Sequence, residues 1–136
     1  MDVLVIDGQG GGIGKQLVAA IKKNLPQVTV TAVGTNTIAT SAMMKAGADY
    51  AATGENAVIV NARRARIITG PIGIVIADSL LGEITADMAN AIARSRAKRI
   101  LIPVNHCDNI VVGVADLSIT KLLKDVITEI EKIVDK

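Results

Sequence analysis

The densest chemical feature of the chain is Asp7-Gly8-Gln9-Gly10-Gly11-Gly12-Ile13-Gly14-Lys15, which follows directly on the apolar run Val3-Leu4-Val5-Ile6. Glycines permit positive φ and let main-chain N–H groups approach a ligand closely. Before a helix they also hand an anion to an N-terminus carrying about half a positive charge. The segment therefore predicts a cradle for phosphate oxygens built from Gly8, Gln9, Gly10, Gly11, Gly12, Ile13 and Gly14. Asp7 would repel a phosphate unless a cation stood between them. It is read either as a Mg²⁺ ligand or, preferably, as an acceptor for the amides of the turn.

Little else in the chain has the makings of a reaction centre. His106 and Cys107 are the single histidine and single cysteine. Neighbours along an extended chain point apart, so they make an awkward nucleophile pair, and two residues fall short of a zinc site. If a reaction occurs, His106 is the first candidate for acid–base work; no catalytic residue and no metal ligand is assigned. Tyr50 is the sole aromatic residue, which removes the stacking platforms used to bind single-stranded nucleic acid. The 15 basic and 13 acidic residues leave a net charge of +2, too near balance to nominate a polyanion. Neither nucleic acid nor a membrane is expected as a partner: the longest strongly apolar stretch, residues 72–77, is far shorter than the roughly 20 residues that span a bilayer. With one cysteine and no charged-then-apolar leader at its start, the chain is expected to be cytoplasmic.

These residues must be held by a scaffold, and hydrophobic periodicity supplies one. Residues 3–6 read as a strand covered on both faces. Ile13, Leu17, Val18, Ile21 and Leu25 recur at helical spacing up to Pro26, and a β-branched run over 28–33 completes a βαβ unit. The alternation continues with a helix over 38–45, a short strand near Tyr50, a helix over 55–64 and a strand over 66–69. Pro71 after Gly70 predicts a helix over 72–81, apolar on most sides with Asp78 and Ser79 embedded in it. Such a helix would be buried in the core or in a subunit interface, with Asp78 paired structurally, and a homodimer or higher homo-oligomer is expected from it. Thr85 caps a helix to about residue 95, and 99–104 is a strand. Residues 110–114 follow too soon for a crossover and are expected to pair antiparallel. A helix capped by Ser118 closes the chain.

The whole reads as one α/β domain, residues 1–136: a Rossmann-like three-layer sandwich with a mostly parallel sheet of about five strands, helices on both faces and an antiparallel edge strand. Ligands of such folds bind at the carboxyl edge of the strands. That edge would gather the glycine loop with Thr35, Asn36, Gly54, Asn56, Gly70 and Gly73, all taken as ligand-binding, and residues 105–108. Arg63, Arg64, Arg66, Arg94, Arg96, Lys98 and Arg99 fall at the opposite edge, where they complement helix C-termini.

Gly8, Gly12 and Gly14 fit G-x-x-x-G-x-G, which resembles the cofactor loop of the short-chain dehydrogenases; the resemblance implies NAD(P) and an oxidoreductase. It ends after the first helix. Tyr50 has Gly54 where that family places its catalytic lysine, and Gly34-Thr35-Asn36 offers no acid for an adenosine ribose. The stretches VIDGQGGGIG, GTN, ATSAMMKAGA, ATGENAVIVN, GPIGIVIADSLLGEIT and ILIPVNHC together resemble a family of small bacterial proteins known only as a domain of unknown function. That likeness implies one intact domain and no particular activity. The expected function is binding of a small phosphate-bearing molecule, a nucleotide or dinucleotide such as NAD(P), with an oxidoreductase as the leading enzymatic reading. Its rivals are a non-catalytic sensor or assembly protein, and a Mg²⁺-assisted enzyme acting on a phosphorylated small molecule through Asp7 and Glu55.

Overall fold

Val3–Asp7 forms β1, buried along its whole length, and its side chains alternate between two cores: Val3 and Val5 into one, Leu4 and Ile6 into the other. A strand with two apolar faces belongs in the middle of a sheet, and β1 lies there. The computed structural model describes residues 1–104, 109–114 and 118–135. Five strands, β1, β2 (Val30–Gly34), β3 (Tyr50–Thr53), β4 (Ile67–Pro71) and β5 (Lys98–Ile102), pair in the order β3-β2-β1-β4-β5, every pair parallel. The chain reverses its direction of travel across the sheet between β1 and β4, which makes that crevice the topological switch point.

Three helices, α1 (Gly12–Asn24), α2 (Thr37–Lys45) and α5 (Ile119–Val134), supply Leu17, Val18, Ile21, Met43 and Ile130 to the first core. Two more, α3 (Glu55–Arg64) and α4 (Ala86–Arg94), supply Val58, Met88 and Ile92 to the second. The expected three-layer Rossmann-like α/β sandwich is what forms. The caps follow the local sequence: Thr85 Oγ1 accepts from the Met88 amide at 3.1 Å and Ser118 Oγ from the Lys121 amide at 3.3 Å. Among the described residues, no helix is long and apolar enough to cross a membrane.

Two expected elements are corrected. Residues 72–81 are not an α-helix: Ile72–Val75 makes a single 3-10 turn, Ile76 is extended, and Asp78, Leu80 and Leu81 have φ of 67°, 55° and 56°. The run is rich in β-branched residues, and Pro71 offers no side-chain cap, so packing outweighs a weak helical preference. Asp78 is therefore exposed on a turn, not embedded in an apolar helix, and the helix expected to supply a core or interface surface does not form. Nor do residues 110–114 form an antiparallel strand. Gly113 turns the chain at φ 85°, and Ile110 and Val112 are 92% and 91% exposed, because apolar β-branched composition makes no strand without a partner edge.

Candidate functional site

Asp7 ends β1 and is 5% exposed. Its Oδ1 accepts the Gly8 amide at 2.8 Å and its Oδ2 the Gly14 amide at 2.7 Å, so the carboxylate itself fills the helix N-terminus meant for a phosphate. Burial pushes its pKa up and the nearby Glu83 charge adds to that, while the Gly14 and Gly8 amides pull the other way; the net direction is upward. Both oxygens accept amides, so Asp7 serves as the acceptor of the turn, the preferred of its two expected roles. The expectation that the Gly8 and Gly14 amides would hold a ligand is corrected for the same reason. Gly11 is spent on the turn as well: it sits at φ 72°, donates to the Gly8 carbonyl at 2.9 Å, and packs with no room for a β-carbon beside the Ala39 backbone.

The other two glycines differ. Gly10 and Gly12 are exposed, neither has positive φ, and a β-carbon on either would meet nothing within 4 Å. Among the described residues, neither of their amides has a hydrogen-bond partner in the protein. Neither conformation nor packing within the described chain requires glycine there. Ile13 is half-buried against the first core. Lys15 and Lys45 line an open groove of about 770 Å³ between α1 and α2, beside this loop.

Gln9, Thr35 and Asn36 are brought together by Glu83, a residue that no local pattern singles out. Glu83 Oε1 accepts the Gln9 amide at 2.9 Å, the Thr35 hydroxyl at 2.5 Å and the Asn36 side-chain amide at 2.8 Å. Asn36 also caps α2, its Oδ1 accepting the Ala39 amide at 2.9 Å, a role that its place before Thr37 signals. A carboxylate thus does reach the tip of β2, from a segment 47 residues away in sequence. Burial pushes the Glu83 pKa up, but the hydrogen bonds from Thr35, Gln9 and Asn36 outweigh it, and the net direction is downward.

Glu83 belongs to a strap, residues 76–84, closed at its neck by the Asp78 amide donating to the Ile84 carbonyl at 2.7 Å. Leu80 of the strap lies over the switch point: its Cδ1 would stand 3.0 Å from a β-carbon on Gly8, and its Cδ2 3.6 Å from one on Gly73. Gly73 is buried under this strap, with Ser79 Oγ donating to its carbonyl. A β-carbon on Gly70 would overlap the Ile6 carbonyl oxygen. Gly70 is therefore a packing glycine, a second correction to the expected ligand set, while Gly73 lies covered by the strap. Gly54 caps α3 at φ 106° and donates to the Gly34 carbonyl at 2.9 Å, while Asn56 is exposed on the first turn of α3. His106 and Cys107 lie outside the described residues, as do Asn105 and Asp108. At the opposite edge Arg66 donates to the Ile133 carbonyl at 2.7 Å and Arg99 to the Ser95 carbonyl at 2.8 Å, which are helix-end contacts as expected.

The family described as domain of unknown function (DUF3842) matches residues 2–135, nearly the whole chain. The chain belongs to that family. No curated protein matches the sequence. Among solved structures the chain is similar to a dodecameric FMN-dependent Ubix-like decarboxylase from Escherichia coli O157:H7. The identity is 14% and the TM-score 0.46, over 100% of this chain and 96% of that one. Within the family fold, the carboxyl edge of the sheet thus carries two open glycines, two engaged carboxylates and a covering strap.

Proposed function

We propose that the protein binds a phosphate-bearing small molecule, a nucleotide in the first instance, at the exposed face of Gly10 and Gly12. The observation that carries this reading is the pair of amides without a partner among the described residues, on glycines that neither conformation nor packing there calls for. Glycine there leaves main-chain N–H groups open to close approach, which is how loops at the start of a helix hold phosphate oxygens. Lys15 and Lys45 add positive charge along the neighbouring groove. The seat is narrower than the cradle expected from sequence, since Asp7 takes the Gly8 and Gly14 amides. NAD(P) is the first dinucleotide to try, and oxidoreductase chemistry would follow only from a redox nucleotide. A homo-oligomer, if formed, needs a surface other than a 72–81 helix; among the described residues Ile110, Val112 and Leu81 are the most exposed large apolar ones.

The test is a thermal-shift panel of NAD(H), NADP(H), ATP, GTP, coenzyme A and flavins, each with and without Mg²⁺. A ligand at a hundred times its Kd adds about 2.7 kcal/mol of stability. Gly12→Val should abolish the shift while leaving the fold intact, because open space surrounds that position. A panel without any shift in wild type and in Glu83→Ala alike, or a shift unchanged in Gly12→Val, sinks the reading.

A further inference from the structure

The strap over residues 76–84 reaches into the carboxyl edge with two side chains, and both occupy ground a nucleotide would need. Leu80 sits on Gly8 and Gly73, in the β1/β4 crevice where open α/β sheets take their ligands. Glu83 places an anionic oxygen on three donors, the Gln9 amide, the Thr35 hydroxyl and the Asn36 amide, which come from the ends of β1 and β2. These are the contacts that a ligand's phosphate or ribose oxygens would make. The strap reaches them through Asp78, Leu80 and Leu81 at positive φ, a conformation that side chains other than glycine rarely adopt. Its tip buries little: Leu81 is 91% exposed. The strap is anchored at its base by Ile84, buried in the second core, and by the Ser79 hydroxyl on the Gly73 carbonyl, while its reach over the carboxyl edge is held by the inserted Leu80 and Glu83 side chains.

We infer that the strap is an internal plug: Leu80 and Glu83 stand in for the ligand when it is absent, and a nucleotide binds by displacing them. This rests on the phosphate-ligand reading and adds a regulatory step to the same site. Charge supports it, because Glu83 bonds the amide of Gln9, the residue next to Gly10, and its carboxylate would repel a phosphate seated on that loop. Displacement removes that repulsion and frees three donors for the incoming oxygens.

Isothermal titration of the full chain with NAD⁺ and, separately, with inorganic pyrophosphate tests the plug in wild type, Glu83→Ala and Leu80→Ala. Removing the competing carboxylate should tighten binding at least tenfold in Glu83→Ala, including the case in which wild type binds too weakly to detect. If Glu83→Ala does not fold, Leu80→Ala decides by the same criterion. Binding that is unchanged in the variant, with wild type still binding, overturns the plug and leaves the phosphate reading standing. Weaker binding by Glu83→Ala would make Glu83 a ligand contact and overturn the plug equally. If no variant binds either probe, both readings fall.

Discussion

The glycine loop and the strap lie against each other at one sheet edge, and they obtain their unusual backbone in opposite ways. In the loop the sharp turn is met by glycine at the demanding position, Gly11 at φ 72°, with Gln9 at 50° the one departure. In the strap three non-glycine residues in four, Asp78, Leu80 and Leu81, carry positive φ, and only Gly82 is suited to it. The first conformation is written locally. The second is imposed by what Ser79, Leu80, Glu83 and Ile84 touch, so it should be the weaker of the two whenever those contacts are lost.

The largest effect should come from the loop. Asp7→Ala strands the Gly8 and Gly14 amides in a buried setting and should cost about 3 kcal/mol, at ~1–3 kcal/mol for each buried group left unsatisfied. Urea unfolding measures it, and a loss below about 1 kcal/mol would show that the loop does not depend on its carboxylate. Asp7→Asn should fall between, since it keeps one acceptor oxygen.

Acid should separate the two regions next. The folded pKa of Glu83 is lowered, so its contribution to closing the strap is present above the ordinary glutamate range and lost as the pH falls through the depressed value. The folded pKa of Asp7 is raised, which makes its ionised form a burden that acid relieves. Protection against hydrogen exchange should therefore be lost in residues 76–84 before residues 8–14 as the pH falls below the ordinary glutamate range. Simultaneous loss of protection would mean that the two regions open as one unit.

The smallest effect is a gain. Leu81 is exposed and held at φ 56°, so Leu81→Gly relieves strain at no packing cost and should stabilise the protein by up to ~1 kcal/mol, less the added chain entropy of glycine in the unfolded state. Destabilisation in a thermal melt would show that Leu81 is held by something beyond its own backbone.

Much of the fold was legible because its signals are local. The unbroken apolar run of β1, the helical spacing from Ile13 to Leu25, and the caps Thr85 and Ser118 each report on neighbours within a few residues. The segment after Pro71 misled for the same reason: its apolar residues suit a helix as well as an irregular cover, and only contacts with the sheet choose between them. The site divides in the same way. Gly10 and Gly12 keep the open amides that glycine spacing implies. The loss of Gly8 and Gly14 to Asp7 depends on where a side chain turns once the helix has formed.

The order of residues by itself determined a parallel sheet with helices on both sides and a glycine turn at the head of the first helix, since periodicity and φ preference act over short spans. Only the tertiary structure decided which anion occupies that turn. Glu83 lies 74 residues from Gln9 along the chain, and a hydrogen bond at 2.9 Å between them leaves no trace in the pattern of either segment. Long-range polar pairing depends on where folded elements come to rest, and composition and spacing do not encode it.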